Sequence, residues 1–129
     1  MTALKTIGIL GAGQLGRMTA IAAAQMGIRA HIFAPDAKDS PAAEVAQTFT
    51  QANYNDGDAL AAFGQSIDAV TSEFENVPAI TMDMLAAFCS VSPGHDALHL
   101  AQNRLREKTL AAHLGIRTPS FWVARSADH

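Results

Sequence analysis

Two stretches of this 129-residue sequence place reactive residue types at spacings that could do chemistry. In the first, Ile7-Gly8-Ile9-Leu10-Gly11-Ala12-Gly13-Gln14-Leu15-Gly16-Arg17-Met18, an apolar run stops at Gly11, glycines recur at Gly13 and Gly16, and an alanine-rich stretch of helical character follows. A strand, a tight turn and a helix entrance in that order hold an anionic group, because the first backbone N–H groups of a helix have no partner within it. Gly11 can take φ values closed to other residues, Gly13 lets the backbone approach a ligand, and Gly16 lets the helix pack closely on its strand. A nucleotide or sugar phosphate is the expected guest. Gln14 can donate and accept hydrogen bonds there, whereas Leu15 offers its backbone N–H or an apolar wall.

The second stretch, Thr71-Ser72-Glu73-Phe74-Glu75-Asn76-Val77-Pro78, sets two carboxylates at a strand end. On an extended chain Glu73 and Glu75 share a side, with Phe74 turned the opposite way into a helical layer. Such a pair could grip ribose hydroxyls, with Glu73 the first choice for substrate contact. Glu75 also suits the start of a helix entered at Val77-Pro78, where proline and an acid are favoured, and Asn76 suits the N-cap of that helix.

Other reactive residues carry less. Arg104, Arg106 and Lys108 lie on a helical stretch where steps of two do not share a face, so one or two of them at most can aim at a common phosphate. His95 and His99 have the spacing of an i,i+4 metal pair, yet no third ligand can be placed, and no metal is expected there. Cys89 is alone, has no catalytic partners, and reads as a small buried hydrophobe. Met18, Met26, Met82 and Met84 read as core filler.

The elements that must position these residues follow from hydrophobic patterning. Strands are expected near Thr6 to Leu10, Ala30 to Ala34, Ala46 to Thr50, Ala69 to Glu73 and Ser90 to Ser92. Helices are expected over Gln14 to Met26, with Leu15, Met18, Ala22 and Met26 on the buried face; over Asp58 to Gln65, with Leu60, Ala61 and Phe63; and over Val77 to Phe88, with Ile80, Met84, Leu85 and Phe88. Strands alternating with crossover helices imply right-handed connections and an α/β, doubly wound, mainly parallel sheet, whose ligand lies beyond the carboxyl ends of the strands. The glycine turn and Glu73 both fall at that edge, so residues far apart in sequence line one crevice.

After Ser92-Pro93-Gly94 the character changes, and a boundary is expected near Pro93. His95 to Asn103 and Arg104 to Leu114 read as helices, followed by a new strand at Phe121-Trp122-Val123-Ala124 anchored by Trp122. That strand has nothing to pair with before His129, which points to a truncated chain.

Composition sets outer limits. The formal net charge is −3 and the basic residues are scattered, which argues against a nucleic-acid partner. No apolar run approaches the roughly 18 residues of a spanning helix, and Met1-Thr2-Ala3-Leu4-Lys5 carries no cleavable signal pattern, so the expected location is the cytoplasm. A single cysteine permits no internal disulfide.

Gly11-Ala12-Gly13-Gln14-Leu15-Gly16-Arg17-Met18, Ser40-Pro41-Ala42, Glu73-Phe74-Glu75-Asn76-Val77-Pro78, Gln102-Asn103-Arg104 with Glu107-Lys108, and Gly115-Ile116-Arg117-Thr118-Pro119 together closely resemble the 5-(carboxyamino)imidazole ribonucleotide synthases of the ATP-grasp superfamily, over all of this chain and the amino-terminal third of a family member. The resemblance implies a Rossmann-like pre-ATP-grasp domain over residues 1–93. Residues 94–129 would then hold linker helices and the first strand of an ATP-grasp domain.

It further implies an ATP-dependent carbon–nitrogen ligase of purine biosynthesis. Bicarbonate is activated by ATP to carboxyphosphate, whose carboxyl group passes to the exocyclic amine of 5-aminoimidazole ribonucleotide, and ADP and phosphate leave. Gln14, Leu15 and Glu73 match ribonucleotide-contacting positions, with Gly11, Gly13, Gly16, Glu75 and Asn76 around them, and Arg104 matches an arginine that contacts ATP. The ATP-binding lysines and the magnesium ligands would lie past residue 129, so no catalytic residue is expected here. Family members are usually homodimers.

The rival from another class is an NAD(P)-binding domain of an oxidoreductase, which shares the glycine spacing. It requires an acid ending the second strand. Ala34 stands there, followed by Pro35-Asp36.

Overall fold

The computed structural model describes residues 5–126, so expectations for residues 1–4 and 127–129 lie outside the described residues. In chain order the elements are β1 (Thr6–Leu10), α1 (Gln14–Gln25), β2 (Arg29–Ala34), β3 (Thr48–Gln51), α2 (Gly57–Gln65), β4 (Ala69–Ser72), α3 (Ala79–Ala86), β5 (Ser90–Val91), α4 (His95–Ala101) and α5 (Arg104–His113). The strands form one five-stranded sheet in the order β3-β2-β1-β4-β5, with every pairing parallel. The chain leaves β1 toward β2 on one side and returns to β4 on the other, so the sheet's winding reverses between β1 and β4, where a crevice opens at the carboxyl ends.

Alternation along the strands divides the core into two layers. Ile9 and Ile32 join Ala12, Ala20, Ala30, Ala34, Ala37 and Ala42 on one face. Leu10 and Phe33 join Leu60, Phe63, Val70, Val77, Met82, Leu85 and Leu98 on the other. The register keeps the layers consistent across the sheet, with Ile9 opposite Ile32 and Leu10 opposite Phe33. The first layer is built mostly of alanine, so α1 lies close against the sheet. The second is built of larger side chains and is covered by α2, α3 and α4. Leu98 of α4 packs into this second layer, which holds α4 on the sheet beyond Pro93.

Two expected helix faces are corrected. In α1 the buried residues are Gly16, Ala20 and Ala23, while Leu15 is 58%, Met18 64% and Met26 70% exposed. Both stripes repeat at helical spacing, and the narrow gap chooses between them. A Cβ on Gly16 would lie 2.9 Å from the Gly11 carbonyl oxygen and 3.3 Å from the Ala42 Cβ, so only small residues fit that side. In α3 Leu85 is buried and Met84 half-buried against the core as expected, but Ala79, Thr81 and Met82 complete the buried face, and Ile80 and Phe88 are exposed. Cys89 is half-buried against the second layer, where burial pushes its thiol pKa up.

The strand expected at Phe121 to Ala124 is also corrected. These residues form no regular element, and Trp122 is 86% exposed instead of anchoring a sheet. No neighbouring strand among the described residues offers them a ladder. The segment instead lies beside α5, where the Lys108 ammonium sits 5.3 Å from the Phe121 ring centre.

Candidate functional site

The crevice is built from the ends of β1 and β4. Gly11 follows β1 with φ at 115°, a conformation open to glycine, and its N–H donates to the Phe33 carbonyl at 3.0 Å. The chain then turns into α1, whose N-cap is Gly13. This helix has no capping side chain of its own and no acid in its first turn. Two of the N–H groups at its start, those of Gly13 and Gly16, are satisfied from across the sheet.

Glu73, directly after β4, donates its backbone N–H to the Leu10 carbonyl at 2.9 Å and so arrives beside the turn. Its side chain accepts from Gly13 N–H at 3.1 Å through Oε1 and from Gly16 N–H at 2.5 Å through Oε2. Bonds from N–H groups to an ionised acceptor are among the stronger hydrogen bonds, and the positive end of α1 favours the negative charge.

The three glycines read differently in this light. A Cβ on Gly11 would fall 2.2 Å from Glu73 Cγ, one on Gly13 would fall 2.9 Å from Oε1, and one on Gly16 would fall 2.5 Å from Oε2. Each glycine makes room for the same carboxyl group. The expectation of a phosphate seated directly on the turn is therefore revised: the anion on the Gly13 and Gly16 amides is the protein's own Glu73. Each carboxylate oxygen keeps acceptor capacity after one bond, so the assembled site presents acceptors to a ligand that carries hydroxyl or amine donors.

Several neighbours fix this arrangement, and sequence reasoning assigned none of them a role. Ala42, of the Ser40-Pro41-Ala42 segment, donates its N–H to the Ala12 carbonyl at 3.1 Å, and Ser40 Oγ accepts from the Ala43 N–H at 3.2 Å. Arg17 ties the same loop to α1, donating to the Pro41 carbonyl at 3.1 Å and to the Glu44 carboxylate at 2.7 Å. Serine followed three residues later by an amide it can cap is a turn signal, and it was the available clue. Tyr54 packs against Phe33 and Phe74. Its phenol pKa is pushed up to about 12, first by burial and then by the carboxylates of Asp36 and Glu73.

The other candidates separate. Gln14 and Leu15 open α1 beside the turn, both exposed. Glu75 does not share a side with Glu73, because β4 ends at Ser72 and the chain bends before the alternation can continue. It is exposed and lines a separate groove with Gln102, Arg104 and Glu107. Asn76 is not an N-cap: α3 begins at Ala79, its cap position is Pro78, and no side chain caps it.

Arg104 opens α5, largely exposed, and donates to the Glu107 carboxylate at 3.0 Å. Arg106 meets His99 Nε2 at 2.9 Å, whereas Arg104 and Lys108, one helical turn apart, line one groove with Phe121 and Trp122, so two of the three cations share a face. His95 Nδ1 lies 2.7 Å from the Asp83 carboxylate, and its ring stacks on His99. Among the described residues no three His, Cys, Asp or Glu side chains gather where they could hold a metal ion. Nor is any helix among them long and apolar enough to cross a membrane.

Residues 4–102 match the family described as the ribonucleotide synthetase preATP-grasp domain. The sequence is 46% identical over 121 residues to the bifunctional purine synthesis protein purC/E of Dictyostelium discoideum, covering 94% of this chain and 12% of that protein. It is 40% identical over 124 residues to the N5-carboxyaminoimidazole ribonucleotide synthase of Staphylococcus aureus, covering 95% of this chain and 33% of the relative.

In structure it resembles the N5-carboxyaminoimidazole synthase of Aspergillus clavatus solved with ADP and 5-aminoimidazole ribonucleotide. The TM-score is 0.75 at 26% identity, over 90% of this chain and 31% of that one. The chain thus spans about a third or less of the length of these relatives.

Proposed function

From the premise that this chain belongs to the ribonucleotide synthetase preATP-grasp domain family, we propose that it is the ribonucleotide-binding, amino-terminal part of an ATP-dependent carboxylating ligase of purine biosynthesis. The reaction joins bicarbonate to the exocyclic amine of 5-aminoimidazole ribonucleotide at the expense of ATP, giving N5-carboxyaminoimidazole ribonucleotide, ADP and phosphate. The observation that carries the reading is the convergence of the glycine turn and Glu73 on one crevice at the carboxyl edge of the sheet.

Glu73, locked by two amides, accepts from ribose hydroxyls, while Gln14 supplies an adaptable amide and Leu15 an apolar wall. Gly11, Gly13 and Gly16 hold the carboxylate in place. Glu75 and Asn76 stand at the outer end of the same loop. Carboxyphosphate is short-lived in water, so the contribution of this domain is to hold the amine in position while the activated carboxyl group is made.

Residues 1–93 form the pre-ATP-grasp domain, and residues 94–129 lead toward the ATP-grasp domain, with α4 still docked through Leu98. Arg104 suits an ATP phosphate: its planar fork is exposed, and its surface pair with Glu107 is readily exchanged for a ligand. Magnesium ligands are assigned to residues beyond this chain, as are the catalytic residues, so the 129 residues alone bind ribonucleotide without turning it over. The complete enzyme is a cytoplasmic homodimer in this reading, with no nucleic-acid or membrane partner.

The oxidoreductase alternative is disfavoured by the same geometry. Its pyrophosphate would need the amides that Glu73 occupies, and the residue ending β2 is the buried Ala34 instead of a ribose-gripping acid. Calorimetric titration of the chain with 5-aminoimidazole ribonucleotide tests the reading. Saturable uptake that Glu73→Gln weakens supports it, and uptake of NADH in preference to the ribonucleotide overturns it.

A further inference from the structure

Three consecutive polar residues, Gln102-Asn103-Arg104, carry the chain from α4 to α5. Asn103 caps α5, its Oδ1 accepting from the Arg106 N–H at 3.0 Å. Arg104 pairs with Glu107 one turn on. Gln102 does something else. Its side-chain nitrogen donates to the Glu75 carbonyl at 2.8 Å and to the Val77 carbonyl at 2.7 Å. One amide group therefore bridges the bend that follows Glu73, and it reaches that bend from a distant part of the chain.

The bend needs such a brace. It is irregular backbone between β4 and α3, and α3 provides no side-chain cap to fasten it. At its inner end it is held by the Glu73 N–H on the Leu10 carbonyl, and Gln102 holds the outer end. The Glu73 carboxylate meets the Gly13 and Gly16 amides only if both ends keep their places, since hydrogen-bonded sites tolerate displacements of about half an ångström.

We infer that Gln102 is a positioning residue for the ribonucleotide site, setting the loop that presents Glu73; this rests on the functional reading above. The same bridge fixes Arg104, two residues further on, relative to that loop. The ribonucleotide contact and the expected nucleotide contact are thereby registered to one another through two peptide units.

Two variants of the full 129-residue chain test this. Gln102→Met keeps the length of the side chain and removes both donors, whereas Gln102→Lys keeps a donor of similar reach. In Gln102→Met, the amides of Gly13, Gly16 and Glu73, whose bonds depend on the loop, should exchange about tenfold faster and the Kd for 5-aminoimidazole ribonucleotide should rise about fivefold, with both effects largely restored in Gln102→Lys. The amides of β1 and β2 should keep their protection.

Unchanged exchange and affinity in Gln102→Met would overturn the inference, as would a loss of protection spread over the whole sheet. Glu73→Gln, measured in parallel, separates the two levels of the argument. If it weakens binding and Gln102→Met does not, the functional reading stands and the role of Gln102 falls. If the unsubstituted chain takes up no ribonucleotide, the functional reading falls and with it the role of Gln102 in binding.

Discussion

Replacing Gly16 by alanine probes the turn and its carboxylate together. Alanine is the better helix former by about 1 kcal/mol in a helix interior, so propensity alone predicts a stabilised protein. The structure predicts the reverse. The new Cβ would lie 2.5 Å from Glu73 Oε2 and 2.9 Å from the Gly11 carbonyl oxygen, and the second contact is backbone that cannot swing aside. Overpacking of this kind costs about 1–3 kcal/mol, and displacing the carboxylate also loses a charge-assisted bond of about 1.5–3 kcal/mol. The net expectation is a destabilisation of about 2–4 kcal/mol.

Urea unfolding followed by circular dichroism would show this as a lower midpoint at unchanged slope. The control is Gly94→Ala, where nothing lies within 4 Å of the new Cβ and φ is −82°; Gly94 is the N-cap of α4, where alanine is the poorer cap, so the change should cost no more than about 1 kcal/mol. Combining Gly16→Ala with Glu73→Ala removes one of the two clashes, so the pair should be less damaging than the sum by about 1 kcal/mol or more. A single substitution that costs nothing, or a pair that is strictly additive, would refute the assignment of the turn as a seat for Glu73.

Tyr54 is the single tyrosine, and its folded pKa of about 12 lies above the ordinary 10.0, so ultraviolet titration of the native protein should show little tyrosinate at pH 10.5. Because the proton is held more tightly in the folded state, stability should fall as pH rises from 10.0 toward about 12, and urea midpoints across that window check the sign. His31 is buried between Ser66 Oγ at 3.0 Å and Thr50 Oγ1 at 2.8 Å, and burial lowers its pKa. Its neutral form is the one the fold keeps, so the stability it contributes is complete above the ordinary histidine value of 6.5 and declines as pH falls below it; His31→Gln should flatten that part of the pH profile. Asp56 caps α2 by accepting from the Ala59 N–H at 3.0 Å, and Asp56→Ala should cost about 1 kcal/mol in urea unfolding, with an unchanged midpoint counting against the cap.

The sheet was legible because its strands alternate with helices at regular intervals and because β1 and β2 read as nearly continuous apolar runs, the mark of strands covered on both faces. The meeting of Glu73 with the glycine turn was legible for a topological reason: both follow parallel strands that pair directly, Leu10 standing opposite Ser72. What sat in the turn was not. An anion-binding helix start looks the same in sequence whether its guest is a phosphate or a carboxylate from sixty residues away.

The buried face of α1 was misread for a related reason. Leu15, Met18, Ala22 and Met26 are the larger apolar set at helical spacing, but the space between helix and strand admits only Gly16, Ala20 and Ala23. Volume in the gap is a tertiary property that periodicity does not carry. At Phe121 to Ala124, strand propensity was present and a partner strand was not, and a ladder needs both.

Whether the Gly13–Gly16 turn and Glu73 form one ribonucleotide seat is read most plainly by amide NMR of the labelled chain during titration with 5-aminoimidazole ribonucleotide. Saturable shifts should concentrate at Gly13, Gln14, Leu15, Gly16 and Glu73, vanish in Glu73→Gln and not be produced by NADH. Shifts that bypass these amides, or that persist undiminished in Glu73→Gln, would contradict a shared seat.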